Sequence, residues 1–280
     1  MIPQADSEYM KLVECFDPLV ADIQNMRKDR TGVGTYSIFS PATLKVDIID
    51  TFPLLSVKKI NFAHIVHEVI WYFSGSTNVK YLEDHNINIW SDWKDENGDL
   101  GPVYGKQWRN FEGPDGSTDQ VQRAINTLKK DPFSRRNLVI GFNPSDQPKK
   151  APQGCHTLVQ FYVSPKMELS LQVYQRSGDL MLGVPYNIAM YGLILEIFAK
   201  EAGLTPRNVH FCYGDLHIYA NHLDGLAKLK EQHIQLEQSS ILSGPYLKLN
   251  HWNDVNSLKL ENFELCNYKP LNFIKFPIAV

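Results

Sequence analysis

Three short segments of the sequence place chemically versatile side chains next to apolar runs. They are Cys155-His156, residues 174–187 and residues 214–219. A cysteine thiolate is a strong nucleophile, and an adjacent imidazole can carry a proton. Free cysteine also packs often as a small buried hydrophobic residue, so Cys155 has a structural interpretation as well. The spacing identifies no Cys-His-Asn or Cys-His-Asp set, and a cysteine hydrolase is therefore not favoured.

Other polar residues of interest are ambiguous when each is taken alone. His217 and Tyr219 fit the end of a strand, where a tyrosine is commonly half buried. Arg135 and Arg136 fit a solvated surface pair. Glu68 falls on a predicted helix, where a solvated carboxylate is common. No single one of these residues assigns a function.

Hydrophobic periodicity predicts the helices that must position these side chains. Ile65, Val69 and Phe73 recur at four-residue spacing, which predicts a helix over residues 62–73 with one buried side. Residues 187–202 are apolar nearly all round, which is typical of a helix through the middle of a molecule. Further helices are predicted at residues 7–23 and 120–130.

Alternating and β-rich runs predict the strands. Residues 158–163 and 169–174 flank Ser164-Pro165-Lys166, which predicts a hairpin. Shorter strands are predicted at residues 36–39, 138–142 and 209–213. The mixture favours an α/β (α+β) fold, with a mixed β-sheet covered by helices, over a bundle or a sandwich. No repeat or linker divides the chain, so we expect a single domain over residues 1–280.

Composition excludes several classes of protein. The 280 residues are 43% apolar and 21% charged with a net charge of -3, which argues against disorder and against general nucleic-acid binding. The four cysteines are far apart, as expected for reduced thiols. The first residues are acidic and unlike a secretory signal, and the longest apolar stretch is too short to span a membrane. We expect a cytoplasmic protein without a membrane segment.

Taken together, the motifs match one family in order along almost the whole chain. They include Asp29-Arg-Thr-Gly-Val-Gly-Thr35, Phe52-Pro53, His67-Glu68-Val-Ile-Trp71, Gly75-Ser-Thr-Asn78, Asn88-Ile-Trp-Ser-Asp-Trp93, Gly101-Pro-Val-Tyr-Gly-Lys-Gln-Trp108, Ser134-Arg-Arg136, Cys155-His156, Gln175-Arg-Ser177 and Pro277-Ile-Ala-Val280. The sequence resembles the thymidylate synthases.

The resemblance implies chemistry at C5 of deoxyuridine monophosphate (dUMP). Uracil C5 is a poor nucleophile, and adding a thiolate to C6 converts the ring to an enolate that can attack a one-carbon electrophile. Cys155 is the implied nucleophile, and Arg176 is expected to lower its pKa. Glu68 is the implied general acid/base, acting through water near O4, with His156 in the same network. Tyr104 is implied in removing the C5 proton.

The resemblance also implies how the nucleotide is held. Asn187 would pair with uracil O4 and N3–H, because an amide offers a donor and an acceptor, and asparagine favours dUMP over deoxycytidylate (dCMP). His217 and Tyr219 would bind the 3'-hydroxyl. The guanidinium fork suits phosphate oxygens. The implied phosphate ligands are Arg30, Arg176 and Ser177 of one subunit, with Arg135 and Arg136 from the other. Gln175 also belongs to the implied dUMP-binding residues. A sheet-to-sheet homodimer with shared active sites is thus implied.

The implied one-carbon donor is 5,10-methylenetetrahydrofolate, a co-substrate, and no metal is expected. Asp179, also expected to assist catalysis, would accept from the pterin donors, and Lys58 would lie on the side of the glutamyl tail. Val280 would close over the folate and exclude water. The other implied folate contacts are Ile89, Trp90, Trp93, Leu182, Gly183 and Tyr186.

Two places depart from the family pattern and bear on the product. Pro152-Gln153-Gly154 stands where relatives more often carry leucine, a small residue and proline, and Phe142 stands where tryptophan is usual. Relatives form an exocyclic methylene on C5, which a synthase reduces with folate hydride and a phage-type pyrimidine hydroxymethylase hydrates. Trp90 and the intact tail favour the exclusion of water and hence methylation to thymidylate (dTMP). The alternative is a dUMP hydroxymethylase.

A hypothesis from another class is a catalytically silent nucleotide-binding module on the same fold. Cys155, Glu68, Tyr104 and Asn187 are all present together. Loss of function normally leaves gaps in such a set, so the sequence favours an enzyme.

Overall fold

The computed structural model describes residues 2–149, 151–239 and 243–279. The helices are α1 Gln4–Glu14, α2 Asp17–Val20, α3 Phe62–Ser74, α4 Lys80–Asp84, α5 Tyr104–Arg109, α6 Gln120–Lys130, α7 Gly183–Ala202 and α8 Leu223–Gln238. The strands are β1 Thr35–Phe39, β2 Leu44–Asp47, β3 Phe111–Gly113, β4 Gly116–Thr118, β5 Leu138–Ile140, β6 His156–Val163, β7 Glu168–Asp179, β8 Thr205–Tyr219, β9 Tyr246–Leu249 and β10 Phe263–Cys266.

A mixed sheet organises the chain and carries the chemically interesting segments. Its strand order is β1-β8-β7-β6-β5, and β2 pairs with another part of β8. Strands β7 and β8 are parallel, whereas β6 and β7 form the predicted antiparallel hairpin. Parallel neighbours need a crossover connection, which α7 supplies. The prediction of a mixed α/β sheet flanked by helices is confirmed.

The helix α7 passes through the core, as its composition predicts. Leu193 and Leu195 are both fully buried although they lie on opposite sides of the helix. The helix begins at Gly183 instead of residue 187. Asp179 orders the turn that leads into it, because its Oδ1 accepts hydrogen bonds from the backbone N–H groups of Met181 and Leu182.

One predicted element is wrong. The helix expected over residues 7–23 is divided into α1 and α2, with a break between Glu14 and Asp17. Pro18 suits the first turn of α2 but has no N–H with which to continue α1. The other elements are confirmed with shifted ends, and α6 has the predicted bounds.

The two faces of the sheet have different surroundings. Val159, Phe161 and Val163 of β6 point into the core, while Tyr162 between them is 63% exposed. Side chains alternate along a strand, and directly paired residues of neighbouring strands point to the same face. The exposed face therefore extends from β5 across β6 to β7. The large apolar side chains on this face are Leu138, Ile140, Tyr162 and Tyr174.

Among the described residues, no helix is long and apolar enough to cross a membrane.

Candidate active site

A large cleft of about 970 Å³ opens where β7 and β8 end and α7 begins. Its volume is at the upper end of the range for small-molecule sites. The predicted site residues that line it are Arg30, Glu68, Trp90, Trp93, Tyr104, Cys155, His156, Gln175, Arg176, Ser177, Asp179, Leu182, Gly183, Asn187, His217 and Tyr219. The fold therefore brings together residues that are up to 189 positions apart, from Arg30 to Tyr219.

Some predicted site residues lie elsewhere. Arg135 and Arg136 are exposed and do not line the cleft. Ile89 is 42% exposed and Tyr186 packs against the core, and neither side chain lines the cleft. Lys58 is only 3% exposed, and its Nζ donates to the Met181 carbonyl at 2.5 Å. Val280 lies outside the described residues, while its neighbours Ile278 and Ala279 line the cleft.

The hydroxyl group of Tyr104 supports the backbone at Cys155. The N–H groups of Cys155 and His156 donate to Tyr104 Oη at 2.6 Å and 3.3 Å. These donors occupy the oxygen lone pairs, so the phenolic hydrogen remains available for donation. Burial raises the pKa of Tyr104, which keeps the phenol protonated. The residue can therefore orient a partner as a donor more readily than it can act as a phenolate base.

The electrostatics at Cys155 have opposing contributions. Burial raises the pKa of the thiol, while the charges of Arg176 and Arg30 and a hydrogen bond with Tyr104 lower it. Arg176 acts in the predicted direction, but burial outweighs it. Its Nε donates to the Gly154 carbonyl at 3.0 Å and its Nη2 to the Gln153 carbonyl at 2.7 Å. Arg176 thus also holds the loop before Cys155.

Glu68 and His156 are both biased toward their neutral forms. Glu68 Oε1 accepts from Tyr72 Oη and Trp90 Nε1, each at 2.9 Å, and burial raises the pKa of the carboxyl. Burial lowers the pKa of His156 to about 4, so the imidazole is neutral near pH 7. A protonatable carboxyl in a poorly solvated cleft suits general acid/base chemistry.

A chain of amides sets the orientation of Asn187. Gln175 Nε2 donates to the Ser177 carbonyl and to Asn187 Oδ1, both at 3.1 Å. A carbonyl only accepts, so it defines which end of the Gln175 amide is the nitrogen. Asn187 Nδ2 then remains as a donor, which matches a carbonyl such as uracil O4 and mismatches an amino group.

The family model for thymidylate synthase matches residues 8–280, nearly the whole chain. The chain belongs to the thymidylate synthase family. The family match supports a transferase of the methyltransferase class that belongs to dTMP biosynthesis, in a family that uses methylenetetrahydrofolate. Across the described ranges, no cluster of three or more His, Cys, Asp or Glu side chains is arranged to hold a metal.

In this thymidylate synthase family member, Asp215 and Arg27 were missed by sequence reasoning although both line the cleft. His217 Nδ1 lies 3.1 Å from Asp215 Oδ1, and Arg27 Nη1 donates to Asp215 Oδ2 at 3.1 Å. Because a carboxylate only accepts, His217 Nδ1 carries hydrogen and Nε2 is left as an acceptor. The sequence contained a signal for Asp215, because it lies two residues before His217 on a predicted strand end and residues two apart on a strand share one face.

The unusual Gly154 has a structural reason in the thymidylate synthase framework. A Cβ at residue 154 would lie 2.7 Å from the Gly141 carbonyl oxygen and 3.4 Å from Tyr104 Cε1. A Cβ at Gly141 would lie 2.5 Å from the His156 carbonyl oxygen. Proline also carries a Cβ, so the family's usual residue would not fit here without a backbone shift.

We expect Gly154→Ala to lower kcat at least about tenfold, because displacement of Tyr104 and the Cys155 backbone misaligns the thiol. Steady-state kinetics with a thermal melt measure this effect. Gly113→Ala, at the end of β3, is the matched control and should leave kcat near wild type. Wild-type kcat in a folded Gly154→Ala enzyme would contradict this explanation.

Proposed function

We propose that this enzyme converts dUMP to dTMP with 5,10-methylenetetrahydrofolate as donor of both carbon and hydride, producing dihydrofolate. The observation that supports this most is the convergence of Cys155, Asn187 and Glu68 on one cleft that Trp90 also lines. A thiol, a base-reading amide and a protonatable carboxyl are the groups that attack on C6 and activation of C5 require. We also propose that residues 1–280 form one catalytic domain.

The nucleotide half of the cleft would work as follows. Arg30, Arg176 and Ser177 bind the phosphate, and His217 and Tyr219 bind the 3'-hydroxyl. Nε2 of His217 can accept from that hydroxyl, as its tautomer requires. The guanidinium charge near Cys155 favours the thiolate, which adds to C6.

Proton transfers at the ring fall to the groups biased by burial. Protonated Glu68 donates toward O4 through water as the enolate forms, and neutral His156 supports the same water network. A water molecule oriented by Tyr104 accepts the C5 proton. This refines the role expected for Tyr104, since its phenol stays protonated.

The other half of the cleft fits a reduced folate. Trp90, Trp93 and Leu182 present aromatic and apolar faces to the pterin and the aryl ring. Asp179 offers a carboxylate to pterin N–H groups and is held by backbone donors. The folate supplies the one-carbon unit and then the hydride. Trp90, anchored on Glu68, and the tail residues Ile278 and Ala279 keep water from the exocyclic methylene.

The alternative is a dUMP hydroxymethylase, in which water adds to that methylene. The altered Pro152-Gln153-Gly154 segment favours it, because Pro152 and Gln153 line the cleft on the approach to the Cys155 thiol. Mass spectrometry of the nucleotide together with dihydrofolate absorbance separates the two activities. We expect dTMP and dihydrofolate in equal amounts. A hydroxymethyl product without dihydrofolate would establish the alternative, and no release of tritium from C5-labelled dUMP would indicate a silent module.

We further propose a homodimer with shared sites. The exposed sheet face carries apolar side chains on several strands, including Tyr162 and Tyr174, and a second sheet could cover it. Arg135 and Arg136 are exposed and lie outside their own chain's cleft lining, which suits a contribution to the partner's phosphate site.

Mixing a Cys155→Ser chain with an Arg135→Ala chain should restore activity that each chain lacks alone. Half of randomly formed dimers are hybrids with one intact site of two, so about one quarter of wild-type activity is expected. Mixing two Cys155→Ser preparations is the control. No recovery after proven subunit exchange would contradict shared sites.

Asn187→Asp should raise the preference for dCMP over dUMP by about 10²-fold, because a carboxylate accepts from the cytosine amino group and loses the donor for O4. The ratio of kcat/KM values for the two nucleotides measures this shift. Asn126→Asp is a matched control, since Asn126 is exposed and its Oδ1 also accepts from a glutamine Nε2. Unchanged discrimination in Asn187→Asp would place base reading elsewhere.

A further inference from the structure

The C-terminal segment is held beside the cleft by a close fit between Phe276 and helix α8. Phe276 is 5% exposed, and a Cβ at Gly225 would lie 2.2 Å from its Cε1. The phenyl ring therefore occupies the space that any side chain at residue 225 would need. The tail residues Ile278 and Ala279, which line the cleft, follow this contact directly.

His222 connects the same segment to the folate half of the cleft. Its ring is fully buried, and Nε2 lies 2.8 Å from the Pro277 carbonyl oxygen. Because a carbonyl only accepts, Nε2 carries hydrogen and donates. Nδ1 lies 3.6 Å from Asp179 Oδ1 and has no hydrogen-bond partner among the described residues. The imidazole thus lies between the tail and the carboxylate proposed for the pterin.

Lys58 forms a second connection between these two regions. Its Nζ donates to the Met181 carbonyl at 2.5 Å and lies 4.6 Å from the centre of the Phe276 ring. An ammonium over an aromatic face is attractive, especially when both are desolvated. Both connections join residues 179–181 to residues 276–277.

We propose that His222 is a positioning residue that links the C-terminal segment to the Asp179 side of the cleft. Packing of Phe276 against Gly225 anchors that segment. The inference rests on the proposed folate-dependent function. A small displacement at Pro277 carries into Ile278 and Ala279, and errors of about 1 Å in a closed site can be costly. Folate affinity and the exclusion of water should then depend on a histidine outside the cleft lining.

Two substitutions with opposite expectations test this role of His222. His222→Leu removes the donor to Pro277, whereas His222→Gln keeps a donor where Nε2 lies. We expect His222→Leu to raise the KM for folate about tenfold and His222→Gln to stay within about threefold of wild type. Nucleotide Kd should not change in either variant. Equal folate KM in His222→Leu and wild type would overturn the proposal.

Gly225→Ala tests the anchor independently. Alanine favours a helix over glycine, so a folded α8 is expected, while the added Cβ displaces Phe276. The folate KM should again rise about tenfold, and tritium release from C5 should exceed dihydrofolate formation. Lys228→Ala, exposed on α8, is the control. A folded Gly225→Ala enzyme with wild-type folate KM, and with tritium release equal to dihydrofolate formation, would overturn the proposal that Phe276 anchors the segment.

The measurements separate this inference from the proposed function. The folate KM is obtained from C5 tritium release, which methylation and hydroxymethylation both require. No tritium release by the wild type would defeat the proposed function alone. In that case, carboxypeptidase removal of the C-terminal residues decides the inference. It should be faster in His222→Leu than in wild type and unchanged in His222→Gln, and equal rates in all three would overturn it.

Discussion

Cys155→Ser is expected to lower turnover at least about 10³-fold while nucleotide binding remains measurable. A serine hydroxyl at its ordinary pKa does not add to uracil C6, whereas the arginines proposed for the phosphate are unchanged. Steady-state turnover and the dUMP Kd from calorimetry measure the two effects. Burial already raises the pKa of the Cys155 thiol, so chemistry at this position depends on how fully the neighbouring cations and substrate favour the thiolate.

Cys15→Ser is the matched control for this substitution. Cys15 is exposed, and its thiol donates to the Lys11 carbonyl. Turnover in the control should equal that of wild type. Substantial turnover in Cys155→Ser would remove Cys155 as the nucleophile, even though its position in the cleft remains.

Glu68→Gln is expected to lower kcat by about 10²- to 10⁴-fold, the usual contribution of a general acid/base. Glutamine keeps an oxygen that can accept from Tyr72 and Trp90, so the local hydrogen bonds are retained. Burial raises the pKa of Glu68, and the acid form therefore persists to higher pH than for an ordinary glutamate. If that form donates toward O4, the rate falls as pH rises through the raised pKa, and Glu68→Gln should lack this limb.

Glu196→Gln provides the control for the pH profile. Burial raises the pKa of Glu196 to about 7, but this carboxyl lies on α7 outside the cleft lining. Its substitution should leave both kcat and the alkaline limb near wild type. A profile that loses the limb in Glu196→Gln and keeps it in Glu68→Gln would contradict the assignment of Glu68.

Much of the local structure could be predicted because it depends on near neighbours in the chain. The four-residue spacing of Ile65, Val69 and Phe73 predicted α3, and the turn residues after Val163 predicted the β6–β7 hairpin. The start of α7 was misplaced because the Asp179 side chain organises the preceding turn. The break between α1 and α2 was missed because hydrophobic periodicity takes no account of Pro18.

By itself, the sequence determined the family and which residue types can do the chemistry, because long motifs specify side chains independently of their packing. Only the tertiary structure decided how those side chains are oriented and charged. Burial outweighs Arg176 at Cys155, Asp215 selects the His217 tautomer, and packing of the C-terminal segment buries Lys58. Each of these results depends on distances and desolvation between residues remote in the chain, which spacing along the sequence does not encode.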